Sequence, residues 1–411
     1  MADLKVEVAA AEMGFDAARL NRIDRHFARY VDDGRLPGWL ILISRFGKIV
    51  HLSTYGWRDV EAGAPLEVDT LFRIFSMTKP ITSVAAMMLY EEGAFELKDP
   101  ASRFIPAFAD VRIYRSGSSL KPMTEPATEP VRIWHLLTHT AGLTYGFHYT
   151  HPVDALYRAA GFEWGTPPGA DLAACCEQWA HFPLLFQPGT EWNYSVATDV
   201  LGRVVELASG LSLDRFFAER ILEPLGMIDT GFAVPVGSVN RLAALYTPAP
   251  DTLRAVRHDG LGEQILRPPT CLSGGGGLVS TAADYHRFTQ MLLRGGELDG
   301  IRLLSHRTFR YMTQNHLPGG ADLETIGRPL FAETTFTGVG FGLGLAVMGD
   351  PVANKVLCSA GELAWGGAAS TAFWVDPSEG ITALFFTQLL PSSTHPIRSQ
   401  FRPLVYQALV D

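Results

Sequence analysis

The chain has only four cysteines in 411 residues, too few and too scattered to brace a fold of this size. Cys175 and Cys176 are adjacent, Cys271 and Cys358 stand alone, and no C-x-x-C pair points to zinc. They read as buried or partly buried free thiols of a reducing compartment. Charge of one sign is never concentrated. No lysine–arginine run occurs, and a formal net charge of −9 argues against a broad nucleic-acid surface, which needs excess cations to neutralise phosphates. The longest apolar runs, such as residues 39–43 and 381–386, are strand-sized and far short of a membrane span. Residues 1–14 mix Asp3, Lys5, Glu7 and Glu12 with short side chains and lack the pattern of a signal peptide. The expectation is a soluble cytoplasmic protein without nucleic-acid or membrane partners; its oligomeric state is not legible.

What is present describes a well-packed globular chain: 47% of residues are hydrophobic and 19% charged. Residues 16–33 have the spacing of an amphipathic helix, with Asp16 as N-cap, Leu20, Ile23, Phe27 and Tyr30 on one face, and Gly34 closing it. Two strand-like runs follow, 39–45 and 49–55, joined by a turn at Gly47. Near the other end, 341–348, 370–375 and 381–388 read as strands. A last helix covers much of 397–409, with Pro403 kinking it or marking its first turn. The middle reads as helices, such as 131–138, 171–182 and 198–209, between Pro- and Gly-rich loops. The expected class is α+β: an antiparallel sheet built from both termini and flanked by helices (residues 1–95 and 266–411), with a mainly helical domain inserted at 96–265. A ligand cleft is expected along that boundary.

Ser76-Met77-Thr78-Lys79 opens an apolar run that ends at Gly93. Residues i and i+3 share a helix face, so Ser76 Oγ and Lys79 Nζ can come within hydrogen-bond reach. Pro80 lacks an N–H and is tolerable only if the helix starts near Ser76, which puts that serine at the positive helix end. A serine there has a base nearby and a backbone N–H available for an oxyanion. To accept a proton Lys79 must be uncharged, which burial or a neighbouring cation favours. The spacing alone is weak, and Ser118-Ser119-Leu120-Lys121 repeats it. That copy lies in a Ser/Gly-rich segment before Pro122 and opens no apolar helix, so it is set aside.

Two further segments add weight. Pro188-Gly189-Thr190-Glu191-Trp192-Asn193-Tyr194-Ser195 leads into a helix and places Tyr194 at a loop-to-helix junction. Trp365-Gly366-Gly367-Ala368 precedes a strand, and its glycines let a ligand approach the backbone. In order, the three segments resemble the motifs of the serine β-lactamase and penicillin-binding protein superfamily. The chain is most similar to the class C-like branch and its family VIII carboxylesterases. Residues 136–143 and 276–284 also resemble landmarks of that family.

The resemblance implies Ser76 as nucleophile, Lys79 and Tyr194 as proton handlers, the N–H groups of Ser76 and Ala368 as oxyanion hole, and Trp365, Gly366 and Gly367 as substrate contacts. It implies no metal or cofactor. Where many β-lactamases carry Asn in the second motif this chain has Val196, and where they carry Lys and a hydroxyl in the third it has Trp365 and Gly366. The Asn would hydrogen-bond a substrate amide and the Lys and hydroxyl would bind the carboxylate of penicillins, so a short, neutral carboxylic ester is the expected small-molecule substrate. β-Lactamase or D-peptidase activity, or acyl transfer, are the alternatives using the same residues.

Other hydrolase types are disfavoured. No G-x-S-x-G or H-E-x-x-H occurs. His139 reads as a structural histidine satisfied by local backbone, and His148 and His151 as loop residues. The alternating Gly338, Gly340, Gly342 and Gly344 read as a strand face left bare for close packing.

Overall fold

The computed structural model describes residues 4–328 and 335–410. Eight strands form one antiparallel sheet: β1 (Gly38–Arg45), β2 (Lys48–Asp59), β3 (Ala64–Pro65), β4 (Val339–Phe341), β5 (Ala346–Met348), β6 (Leu363–Gly366), β7 (Ala372–Asp376) and β8 (Ile381–Phe386). Their order is β4-β5-β6-β7-β8-β1-β2-β3, so the two ends of the chain meet where β8 pairs with β1, from Leu40↔Phe386 to Arg45↔Ile381.

Every residue of β1 is buried because the sheet is covered on both faces. Trp39, Ile41 and Ile43 enter one core with Phe27, Phe385 and Phe401. Their alternates Leu40 and Leu42 enter a larger core with Val84, Val200 and Leu384. Burying each such side chain is worth about 1.5–3 kcal/mol over leaving it in water. The first core is closed by α1 (Ala17–Asp32) and a C-terminal helix. In α1, Asp16 accepts the Arg19 N–H at 3.0 Å, and Leu20, Ile23, Phe27 and Tyr30 are the buried face, as the spacing predicts. The larger core holds α2 (Thr78–Glu91), α3 (Ala197–Ser209) and α4 (Ala282–Leu293). Gly210 ends α3 in the left-handed conformation, φ 74°.

The structure refines four local readings. Residues 341–348 are not one strand: β4 and β5 form a hairpin whose tight turn is closed by Gly342 N–H to Leu345 C=O at 2.8 Å. Its glycines do sit where side chains would collide, Gly340 against Asn315 and Gly344 against Ser83. The third motif does precede a strand, but that strand, β7, starts at Ala372 after a turn holding Ser370 at φ 66°, and Trp365 and Gly366 themselves end the preceding strand β6. Of the two roles expected for Pro403, the interior one holds: the C-terminal helix α5 (Ile397–Tyr406) runs through it. The segment between 96 and 265 carries, besides helices, two hairpins: Arg112–Ser118 with Lys121–Pro126, and Tyr246–Pro248 with Ala255–Arg257. Among the described residues no helix is long and apolar enough to cross a membrane.

Candidate active site

Ser76 lies in a 3₁₀ turn, Phe75–Met77, and α2 begins two residues later than the sequence reading. Pro80 therefore falls in the first helical turn, where its missing N–H costs nothing. Phe75 precedes the serine at φ 44°, a left-handed conformation of the kind that persists only when the surroundings impose it. Those surroundings are visible: Ile74 N–H bonds Leu278 C=O at 3.0 Å, and Leu278 N–H bonds Thr78 Oγ1 at 3.2 Å. The landmark segment after residue 276 thus clamps the serine turn from outside.

Lys79 is 1% exposed, and its Nζ has three partners: Gly275 C=O at 2.7 Å, Tyr145 OH at 3.0 Å and Ser76 Oγ at 3.2 Å. The aromatic face of Tyr194 covers the same nitrogen, 4.5 Å from the ring centroid. The Tyr194 hydroxyl receives the indole N–H of Trp365 at 3.2 Å. All the residues named from the sequence are brought together: Ser76, Tyr194, Trp365, Gly366, Gly367 and Ala368 line one cavity, with Lys79 bonded beneath Ser76.

Two glycines of the third motif are demanded by close approach. A Cβ on Gly367 would strike the Ile74 carbonyl, beside the serine turn, and one on Gly366 would strike the Arg398 guanidinium. Arg398 donates to the carbonyls of Gly367 (2.9 Å) and Thr371 (3.0 Å), holding the turn that carries Ala368.

The second-motif loop is held from below. Asn193 N–H bonds His139 C=O at 3.0 Å, Asn193 Nδ2 donates to Leu143 C=O at 2.9 Å, and His148 Nε2 bonds Tyr194 C=O at 2.7 Å. His139 differs from the sequence reading: its ring contacts side chains, Ser195 Oγ at 3.2 Å and Thr198 Oγ1 at 3.4 Å, rather than local backbone. Burial above all, then the proximity of Lys79 and His148, holds His139 well below the usual imidazole range, so it stays neutral. His151, placed in a loop by the sequence reading, is the N-cap of the helix Pro152–Ala159.

Two residues of the site escaped sequence reasoning. Tyr145 follows the first landmark, and its only local signal is a tyrosine before Gly146. Desolvation, then the nearby Asp199 and Tyr194, push its phenol well above the usual value, so it stays protonated. Asp199 lies five residues beyond Tyr194, on α3. Its Oδ1 accepts Ser273 Oγ (2.5 Å) and Gly275 N–H (3.0 Å), so it anchors the peptide segment whose carbonyl meets Lys79. Burial raises its carboxyl above the ordinary range, against the lowering effect of Lys79 and these two donors. The signal was the glycine run at 274–277, since a Cβ on Gly275 would collide with that carboxylate. Among the described residues no group of three His, Cys, Asp or Glu is placed to hold a metal ion.

Comparison with known proteins places the whole chain in one family. The Beta-lactamase family model matches residues 23–407. The chain is 38% identical to Protein Rv1367c of Mycobacterium tuberculosis, over 88% of each chain. It is 33% identical to Esterase EstB of Burkholderia gladioli, over 95% of this chain and 96% of that one. Among solved structures, EstCE1, described as a hydrolase with promiscuous acyltransferase activity, superimposes with a TM-score of 0.78 at 28% identity, covering 95% of this chain and 98% of that one. The match extends across both ends and the middle of the chain, and the protein belongs to the beta-lactamase family.

Proposed function

We propose that the protein is a serine hydrolase that cleaves carboxylic esters through an acyl-enzyme on Ser76. The observation that carries this reading is the environment of Lys79 Nζ. An uncharged amine has two N–H donors and one lone pair. The Gly275 carbonyl can only accept, and the Tyr145 hydroxyl can take the second donor, which directs the lone pair at the Ser76 hydroxyl. Ser76 Oγ then attacks the ester carbonyl as its proton passes to Lys79, and the backbone N–H groups of Ser76 and Ala368 stabilise the oxyanion. Because Trp365 donates to the Tyr194 oxygen, the Tyr194 proton remains available for the departing alkoxide. Lys79 restores it, and the alcohol leaves. Water repeats the cycle on the acyl-enzyme, regenerating Ser76 and releasing the acid. Lys79 and Tyr194 act as one coupled pair.

Trp365, Gly366 and Val196 stand where carboxylate- and amide-binding groups would hold a penicillin, which supports neutral esters over β-lactams. The esterase relatives support the same choice. Acyl transfer to an added alcohol is the second reading, favoured by the description of EstCE1. Our reading also includes the family VIII assignment, a cytoplasmic location, for which four free thiols speak, and a domain division at residues 95/96 and 265/266. The test of the chemistry is intact-mass spectrometry after exposure to 4-nitrophenyl acetate, with peptide mapping of the adduct. One acetyl group on Ser76 is expected. Turnover with no adduct on Ser76, or labelling of Ser118 or Ser359, overturns the assignment.

A further inference from the structure

Ser76 does not sit at the bottom of one pocket. It, Phe147 and Ala368 border two cavities of unequal size. The smaller, about 140 Å³, is lined by Tyr194 and the third motif. The larger, about 430 Å³, is reached past Tyr145 and lined by Phe147, Phe162, Trp164, Trp179, Pro167 and Ile265. A closed cavity of roughly 150 Å³ accommodates one benzene, so the smaller space suits a group of that size or less. The larger has room for a group of two rings, and an acetyl group would leave most of it empty.

The wall of the larger cavity is ordered in a particular way. Tyr145 stacks on Phe147 (centroids 4.6 Å apart, planes at 18°), and Phe147 stacks on Trp164 (4.4 Å, 13°). Three nearly parallel rings run from the lysine partner Tyr145 to Trp164, which is 38% exposed. Both faces of Phe147 are covered within this column, so a guest meets mainly ring edges, and a flat aromatic guest answers them best by offering its own face in edge-to-face contact.

Which half of the ester enters it follows from the proton path. The alkoxide must leave beside the group that protonates it, and Tyr194 lines the smaller cavity, not the larger. The carbonyl carbon stays on Ser76, so its other substituent must occupy the remaining space. We infer that the larger cavity is an acyl subsite for flat aromatic groups: the preferred substrates are arylalkanoyl esters of small alcohols, recognised by the Tyr145–Phe147–Trp164 stack. This rests on the Ser76 ester-hydrolase reading and on Tyr194 as the proton donor to the leaving group. It revises the short-chain expectation on the acyl side only.

The experiment uses three unactivated alkyl esters with similar leaving alcohols: ethyl acetate, ethyl 3-(2-naphthyl)propanoate and 2-(2-naphthyl)ethyl acetate. Burial of an aromatic group predicts a kcat/KM for the naphthylpropanoyl ester roughly 10- to 100-fold above that for ethyl acetate. Trp164→Ala and Trp164→Phe are measured alongside, Ala lowering that ratio about tenfold or more and Phe restoring part of it. A preference for the naphthylethyl acetate instead would place the alcohol in the larger cavity and overturn the acyl assignment. Equal kcat/KM for all three, with Ser76 still acylated by 4-nitrophenyl acetate, would overturn the subsite and leave the hydrolase reading standing. No acylation of Ser76 by any ester would overturn the hydrolase reading itself.

Discussion

The chain contains the same four-residue spacing twice, and the two copies have opposite fates. Ser76 and Lys79 stand at the mouth of a buried helix, 3.2 Å apart, with Lys79 enclosed by Tyr145, Tyr194 and the Gly275 carbonyl. Ser118 and Lys121 face each other across the tip of an exposed hairpin, beside Leu120 at 96% exposure. The second lysine is exposed at the hairpin tip, where water rather than packed neighbours surrounds its amine. A serine and a lysine three residues apart become chemistry only where other parts of the chain desolvate and orient them.

The largest expected contrast comes from removing each serine. Ser76→Ala is expected to lose roughly 10⁴-fold or more in kcat for an activated ester, while Ser118→Ala stays within about twofold of the parent. Comparable losses would dissolve the distinction. The lysines come next. Lys79→Ala and Tyr194→Phe are each expected to cost about 10²–10⁴ in kcat, whereas Lys121→Ala costs nothing measurable. The double variant at 79 and 194 is expected to lose far less than the product of the two effects, because both groups handle one proton. Fully multiplicative losses in steady-state kinetics would show that they serve separate steps.

A finer contrast concerns the partner that the exposed copy lacks. Tyr145→Phe removes one acceptor from Lys79 and keeps the ring, so a loss of about 2- to 10-fold in kcat is expected, as for one hydrogen bond between neutral groups. An unchanged kcat would mean that Gly275 and Ser76 suffice to orient the amine. The last effect is one of selectivity. Trp365→Lys exchanges the aromatic wall and the donor to Tyr194 for a cation, and is expected to shift the kcat/KM ratio of ester to cephalosporin about tenfold toward the β-lactam. If the parent already prefers the cephalosporin, β-lactam hydrolysis replaces ester hydrolysis as the leading function.

The elements read correctly from sequence are those written in local periodicity. The apolar face of α1, the hairpin β1–β2 and the helix behind Lys79 follow from the 3.6- and 2-residue repeats of backbone hydrogen bonding. Errors appeared where tertiary contacts overrode the pattern. The run 341–348 is apolar enough for one strand, but Gly342 and Gly344 let it fold back against Met312 and Ser83. The start of α2 moved because Phe75 is forced into a left-handed turn by the segment around Leu278.

For the site, the order of Ser76–Lys79, Tyr194 and Trp365–Ala368 was enough to name the family and the chemistry, since each reactive side chain is tied to a short local motif. Tyr145 and Gly275 touch Lys79 from 66 and 196 residues away, and no spacing rule connects positions so distant. The division of the space around Ser76 into a small and a large cavity was equally invisible. A cavity is what remains after remote segments have packed, so only the folded chain decides its size, its aromatic wall and which half of an ester each side admits.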